Sequence, residues 1–191
     1  MKDKAMITLL DGAMGTMLQA KGLTPGELPE VFGYHHGDIV TSIHKAYVES
    51  GADIIYANTF QANRKKLKKS GFSVQKIITS AIQQAKKAAN VTTRVALDIG
   101  PIGELLEPNG YLTFDEAYDI FKEMVMAGEQ AGADLIVFET MSDLMEVKAA
   151  ILAAKENSNL PIFVTMSFEK DHRTFTGCCA ASFALLAERL R

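Results

Sequence analysis

Short apolar runs recur along the chain and alternate with longer stretches of helical periodicity. The runs are nearly continuous in hydrophobicity and rich in β-branched and aromatic residues, which is typical of strands buried on both faces of a parallel sheet. We predict five strands, over residues 7–10, 53–57, 94–98, 134–138 and 161–166. The alternation of strands with helices predicts an α/β fold.

The stretches between these strands predict amphipathic helices with recognisable ends. Five helices are expected, over residues 39–50, 73–89, 114–131 and 142–157 and from about residue 180 to the end of the chain. Side chains that can accept hydrogen bonds from a first helical turn precede four of them, namely Asp38, Ser73, Thr113 and either Ser142 or Asp143. Gly51 and Gly132 follow two of the helices and are expected to end them.

The return from helix to strand is repeated, as Gly-Ala-Asp at residues 51–53 and again at 132–134. This repeat predicts a parallel βα array, either a barrel or a doubly wound sheet. Gly12 and Gly15 do not have the spacing of a dinucleotide-binding turn. A (βα)8 barrel of the TIM type needs eight strands. Five βα units therefore predict an incomplete barrel, a single domain over residues 1–191 in which strands six to eight are missing.

Charge and hydropathy exclude several classes of partner. The formal net charge is −3 with acids and bases interleaved, which argues against binding to nucleic acid. No apolar run is long enough to span a bilayer, so we predict no membrane partner. The only two cysteines are adjacent and form no disulfide framework, which is typical of a protein in the reducing cytoplasm.

Polar side chains follow the predicted strands at the points where the strands end. Asp11 with Gly12 follows the first strand, Asn58 with Thr59 the second, and Glu139 the fourth. Asp98 ends the third strand. Ligands of parallel βα proteins bind at these ends, and gathered carboxylates suit an ammonium group or a metal ion. The alternative is that the acids cap or neutralise the helices that follow them.

Several segments of the chain resemble the homocysteine S-methyltransferase family. They are LDGAMGTML at residues 10–18, ANTF at 57–60 followed by Asn63, DIGPIGELLEPNG at 98–110 and ETMSDLMEVKAA at 139–150. The last two also resemble the N-terminal homocysteine module of cobalamin-dependent methionine synthase. VTMSFE at 164–169 and RTFTG at 173–177 fit the same resemblance, which runs in order along almost the whole chain.

The resemblance implies an eight-stranded barrel that binds homocysteine at its strand ends. It implies that Asp11 and Glu139 hold the ammonium group of the substrate, helped by Gly12 and by the turn of Asn58 and Thr59. A zinc ion in the family holds the substrate thiol and favours the thiolate. The thiolate then takes a methyl group from methylcobalamin, which methyltetrahydrofolate supplies through separate cobalamin- and folate-binding modules.

The zinc ligands of the family are three cysteines, one after the sixth strand and an adjacent pair near the eighth. The two cysteines of this chain, Cys178 and Cys179, follow the predicted fifth strand instead. Two thiols cannot supply three thiolates, so we expect the chain to hold the amino acid without binding zinc. We expect no catalytic residue in the chain and no methyl transfer by the chain alone.

Two other functions fit parts of the pattern. A shortened barrel could serve as a non-catalytic binding module that covers its open sheet edges by self-association. A different βα-barrel enzyme acting on a phosphorylated ligand would need a glycine-rich loop after the seventh or eighth strand, and this chain offers neither strand.

Overall fold

The computed structural model describes residues 7–190 and contains one parallel sheet. The strands are β1 (Ile54–Tyr56), β2 (Arg94–Ile99), β3 (Leu135–Met141) and β4 (Ile162–Met166), which neighbour one another in chain order. The pairing of Tyr56 with Ala96 and of Ile99 with Phe138 brings the carboxyl ends of β1, β2 and β3 to one edge. The α/β prediction is confirmed.

Helices connect the strands and cover one face of the sheet. The helices are α1 (Met14–Gln19), α2 (Pro29–His35), α3 (Gly37–Glu49), α4 (Arg64–Leu67), α5 (Val74–Ala88), α6 (Phe114–Ala131), α7 (Leu144–Asn157) and α8 (Ala180–Arg189). No helix within residues 7–190 is long and apolar enough to cross a membrane.

The predicted first strand is wrong as a strand. Residues 7–10 run beside β1, but only Leu10 makes a parallel bridge, to Ile54. The ladder stops there because the next acceptor is a side chain: Asp11 Oδ2, and not a backbone carbonyl, accepts the Tyr56 N–H at 2.9 Å. Four strands and one bridge therefore replace the five predicted strands.

The predicted helix ends are mostly confirmed. Ser73 and Thr113 each accept a backbone N–H from the first turn of α5 and α6. Of the two candidates for α7, Asp143 is the cap. The prediction for Asp38 is wrong, because α3 begins at Gly37, two residues earlier than predicted, and has His36 at its N-cap without a side-chain hydrogen bond.

The two faces of the sheet differ in what they pack against. One face meets α5, α6 and α7 in the main core, where Leu97, Ile136 and Phe138 are fully buried. The other face is the inner face of the incomplete barrel. Its lower part is a small apolar cluster of Ile54, Ala96, Leu135 and Val137. Since strand side chains alternate, the same face carries polar groups two residues further along.

Candidate functional site

A cavity of about 540 Å³ lies at the carboxyl end of the sheet, on its inner face. It collects residues from the segment after the Leu10 bridge, from α2, from the turn after β1, and from the ends of β2, β3 and β4. The polar side chains that line it are Asp11, Glu30, Tyr56, Asn58, Gln61, Asp98, Glu139, Thr140 and Thr165.

Asp11 and Glu139 line this same cavity from opposite parts of the chain. One oxygen of Asp11 is held by the Tyr56 N–H. Burial raises the pKa of Asp11 to about 7, and the charge of Glu139 adds to the rise. The pKa of Glu139 is raised as well, mainly by burial. Among residues 7–190, neither carboxyl has a cationic partner that would favour its ionised form.

The end of β3 is strained directly after Glu139. Thr140 has a φ of +59°, a left-handed conformation that is costly for a β-branched residue. Its N–H donates to Thr165 Oγ1 at 3.0 Å, and the β3–β4 register shifts between Phe138 and Met141. The kink interrupts the regular pairing of β3 with β4 after Phe138, where Glu139 lines the cavity.

Asn58 and Thr59 have different surroundings. Asn58 lines the cavity, and its amide donates to the Pro29 carbonyl at 2.8 Å, which ties α2 to the turn after β1. Thr59 is fully buried and does not line the cavity. Its hydroxyl donates to the Asp98 carbonyl at 2.7 Å and accepts the Asp98 N–H at 3.1 Å. Thr59 therefore braces the end of β2.

Gly12 lines the cavity, and its lack of a side chain leaves room for the ring of Tyr47. A Cβ at this position would lie 3.0 Å from the Tyr47 hydroxyl and 3.1 Å from the ring. The Tyr47 hydroxyl donates to the Ala13 carbonyl at 3.0 Å. The glycine thus lets α3 approach the backbone that follows Asp11.

Two further carboxyls line the cavity. Glu30, 3% exposed, accepts the Gln61 N–H through Oε1 at 2.6 Å. Asp98 is 7% exposed and adjoins Glu139. Among residues 7–190, neither Glu30 Oε2 nor Asp98 Oδ1 has a hydrogen-bond partner. Such orphaned oxygens are rare in folded proteins and call for an explanation.

Sequence reasoning left Asp98 open between a ligand role and a structural one, and it missed Glu30. Glu30 follows Pro29 at the start of α2, where an acidic residue ordinarily serves the helix terminus. No pattern in the sequence marks Glu30 as a residue of the cavity. Its burial depends on how α2 packs across the mouth of the sheet.

The electrostatics of the cavity favour a cation. Four carboxyls line it, and the described lining contains no lysine, arginine or histidine. Burial raises the pKa of Asp98 well above its usual range, and the charges of Glu139, Asp11 and Glu30 add to the rise. A ligand ammonium group would relieve this repulsion and supply the missing donors.

The cysteines do not fit a zinc site at this cavity. Cys178 lines a separate cavity of about 320 Å³, beside Asp143 and Met145, that shares no lining residue with the acidic one. Its thiol donates to the Cys179 carbonyl, and Cys179 Sγ lies 3.3 Å from Ser182 Oγ. Within the described part of the chain, no three His, Cys, Asp or Glu side chains are grouped so as to hold a metal ion.

Comparison with known proteins matches this chain to two methionine synthases. The methionine synthases of Mycobacterium leprae (strain TN) and Mycobacterium tuberculosis (strain ATCC 25618 / H37Rv) are each 29% identical to it, over 180 and 182 residues. Each alignment covers 83% of this chain and 15% of the relative, so the chain spans a small part of those enzymes.

Solved structures show the same fold. The homocysteine methyltransferase MmuM from Escherichia coli superposes with a TM-score of 0.86 in both its oxidized and its metallated form, at 20% identity. The oxidized form covers 95% of this chain, and this chain covers 69% of it. The model of the family described as homocysteine S-methyltransferase matches residues 8–190. The chain belongs to the homocysteine S-methyltransferase family.

Proposed function

We propose that this chain is the amino-acid-holding part of a homocysteine S-methyltransferase of the methionine synthase type. Asp11 and Glu139 bind the ammonium group of homocysteine, and the amide of Asn58 fixes the turn that closes the cavity beside them. The observation that carries the proposal is the convergence of these carboxyls on one cavity whose described lining holds no basic side chain.

The whole reaction is part of the proposal as well. A homocysteine thiolate would take the methyl group of methylcobalamin, recharged from methyltetrahydrofolate by modules outside this chain. Zinc activation of the thiol needs ligands that Cys178 and Cys179 do not supply at this cavity. The residues of this chain therefore bind and orient the substrate, and the thiol-activating groups come from elsewhere.

Calorimetric titration with L-homocysteine tests the binding step. Loss of one charged hydrogen-bond partner costs roughly ten- to a hundredfold in affinity, so Asp11→Asn and Glu139→Gln should each weaken binding by about that factor. 4-Mercaptobutanoate, which has the thiol and carboxylate but no ammonium group, should bind no better to the wild-type chain than to these variants.

Glu49→Gln is the matched control. Glu49 is exposed at the end of α3, so this substitution makes the same chemical change as Glu139→Gln but outside the cavity. It should bind homocysteine like the wild type. Equal binding of homocysteine and 4-mercaptobutanoate by the wild type would refute the role of the carboxyls. Clear production of methionine by the chain alone, given methylcobalamin, homocysteine and zinc, would refute the proposal that the thiol-activating groups lie outside this chain.

A further inference from the structure

Asp98 stands out among the buried acids of the cavity. Its backbone is fixed on both sides by the Thr59 hydroxyl, so its side chain has a set direction. The Asp98 and Glu139 carboxyls line the same cavity from the paired strands β2 and β3, while Asp98 Oδ1 has no partner in the described chain. Two carboxyls can share a hydrogen bond only when one of them carries a proton.

We propose that Asp98 is a positioning residue that stays protonated and donates its O–H to Glu139, so that the Glu139 carboxylate is aimed at the substrate ammonium group. The proposal rests on the proposed function for the ammonium site itself. It adds a residue that acts through Glu139 without contacting the reacting atoms.

The surroundings decide which of the two acids keeps the proton. Asp98 is 7% exposed and is faced by acids from three other elements, Glu139 on β3, Asp11 after the Leu10 bridge and Glu30 on α2. The neighbour from β1 is Tyr56, whose pKa is itself raised to about 12 by burial and by the charges of Glu139, Asp98 and Asp11. An ionised Asp98 would add a buried charge beside a described lining that holds no cation, whereas Glu139 is partly exposed to the cavity and can ionise there.

The arrangement solves a problem that an all-carboxylate cavity would have. Side by side, two ionised acids would repel and turn away from each other. A neutral Asp98 instead holds Glu139 by a hydrogen bond and leaves its second oxygen free for the ligand. Keeping a buried carboxylic acid neutral so that it can donate is an established device in enzyme sites.

Isotope-edited infrared spectroscopy tests the proton without any ligand. With the side-chain carboxyl carbon of aspartate labelled, the wild type should show the carbonyl stretch of a protonated acid at about pH 9, two units above the pKa of Asp11, about 7. The band should vanish in Asp98→Asn and shift in Glu139→Gln, where the acceptor of the hydrogen bond has changed. Absence of the band in the wild type, or no shift in Glu139→Gln, would overturn the proposal.

Homocysteine binding then tests the positioning role with two neutral replacements. Asp98→Asn keeps an N–H donor for Glu139 and should bind within about threefold of the wild type. Asp98→Leu has the same charge and no donor, and should bind about ten- to a hundredfold more weakly. Equal affinities of the two variants would contradict the positioning role. A wild type that does not bind homocysteine would refute the proposed function, and the infrared bands would still decide the state of Asp98.

Discussion

The acids around the cavity and those under the helices differ in the oxygen that the backbone leaves unused, since Asp11 and Glu30 in the cavity also accept a backbone N–H. On the helix side, Asp143 accepts the N–H groups of Met145 and Glu146 and begins α7. Glu146 accepts the Ile102 N–H at 2.7 Å. In the cavity, by contrast, Glu30 and Asp98 each keep one buried oxygen without a partner among residues 7–190.

The pKa values alone do not separate the two groups. Burial raises the pKa of Glu146 to about 7, and it raises that of Asp11 to about 7 as well. The difference lies in what the free oxygens face. A carboxyl whose oxygens accept backbone N–H groups holds a loop in place, whereas one with an oxygen left over beside a cavity is available to a ligand.

His44 is a buried titratable group outside both sets of carboxyls, and it should show the largest effect of pH. It is fully buried in α3, and no hydrogen bond to either ring nitrogen is found within the described chain. Burial lowers its pKa from 6.5 to about 4. As the pH falls below 6.5, His44 binds a proton in the unfolded chain but stays neutral in the folded chain until the pH nears 4. The wild type should therefore lose about 3 kcal/mol of stability by pH 4.

His44→Leu removes this titration and is the comparison that isolates it. In urea unfolding, the free energy of unfolding of the variant should rise relative to that of the wild type by about 3 kcal/mol between about pH 7 and pH 4. Parallel pH profiles for the two proteins would mean that His44 gains a proton or a partner in the folded state.

Asp11→Asn should stabilise the chain at high pH, whereas His44→Leu should stabilise it at low pH. The Asp11 carboxyl has a pKa of 3.8 when unfolded and about 7 when folded, so its ionisation costs stability progressively as the pH rises between those values. Partial solvent exposure reduces the full cost of about 4 kcal/mol to about 2 kcal/mol. Unfolding at about pH 8 should show the variant more stable by that amount, and at pH 4 the difference should vanish.

The gain should coincide with weaker binding of homocysteine, which is the pattern expected where a site keeps an unfavourable group for its ligand. Asparagine retains an oxygen that can accept the Tyr56 N–H, so the backbone contact is preserved. A variant that is less stable at pH 8 would show that the Asp11 charge is already compensated in the folded chain.

Much of this fold and part of this site could be predicted from the sequence, and the reasons are local. The apolar runs of β2 and β3 and the capping residues Ser73 and Thr113 act within a few residues of themselves. The ends of parallel strands meet at one edge by geometry, so the sequence alone predicts that Asp11 and Glu139 lie together. The helices α1 and α2 were missed because six or seven residues are too few to show a period.

What the sequence could not supply depends on contacts across the chain. Thr59 looked like a cavity residue, yet its hydroxyl is used by the backbone of Asp98, 39 residues away. Glu30 was not predicted because its burial follows from the packing of α2 against the turn after β1, through Asn58. Neither contact has a signature in spacing or composition.

Glu146 tests the helix side of the comparison with two variants. Glu146→Ala leaves the buried Ile102 N–H without an acceptor and should lower the free energy of unfolding by about 1–2 kcal/mol at about pH 5. Glu146→Gln keeps the acceptor and should retain the stability of the wild type there. Neither should change the affinity for homocysteine, and weaker binding by Glu146→Gln would move this residue into the set that serves the cavity.

Asp143 offers the smallest and most specific test. Its Oδ1 accepts two N–H groups of the first turn of α7, so Asp143→Ala should cost about 1 kcal/mol in chemical unfolding. Ser73→Ala, which removes the cap of α5, is the matched control and should cost a similar amount. Asp143→Asn keeps the acceptor and should cost nearly nothing. If it cost as much as alanine, the charge and not the hydrogen bonds would hold this helix start, and the division between the two sets of buried carboxyls would fail.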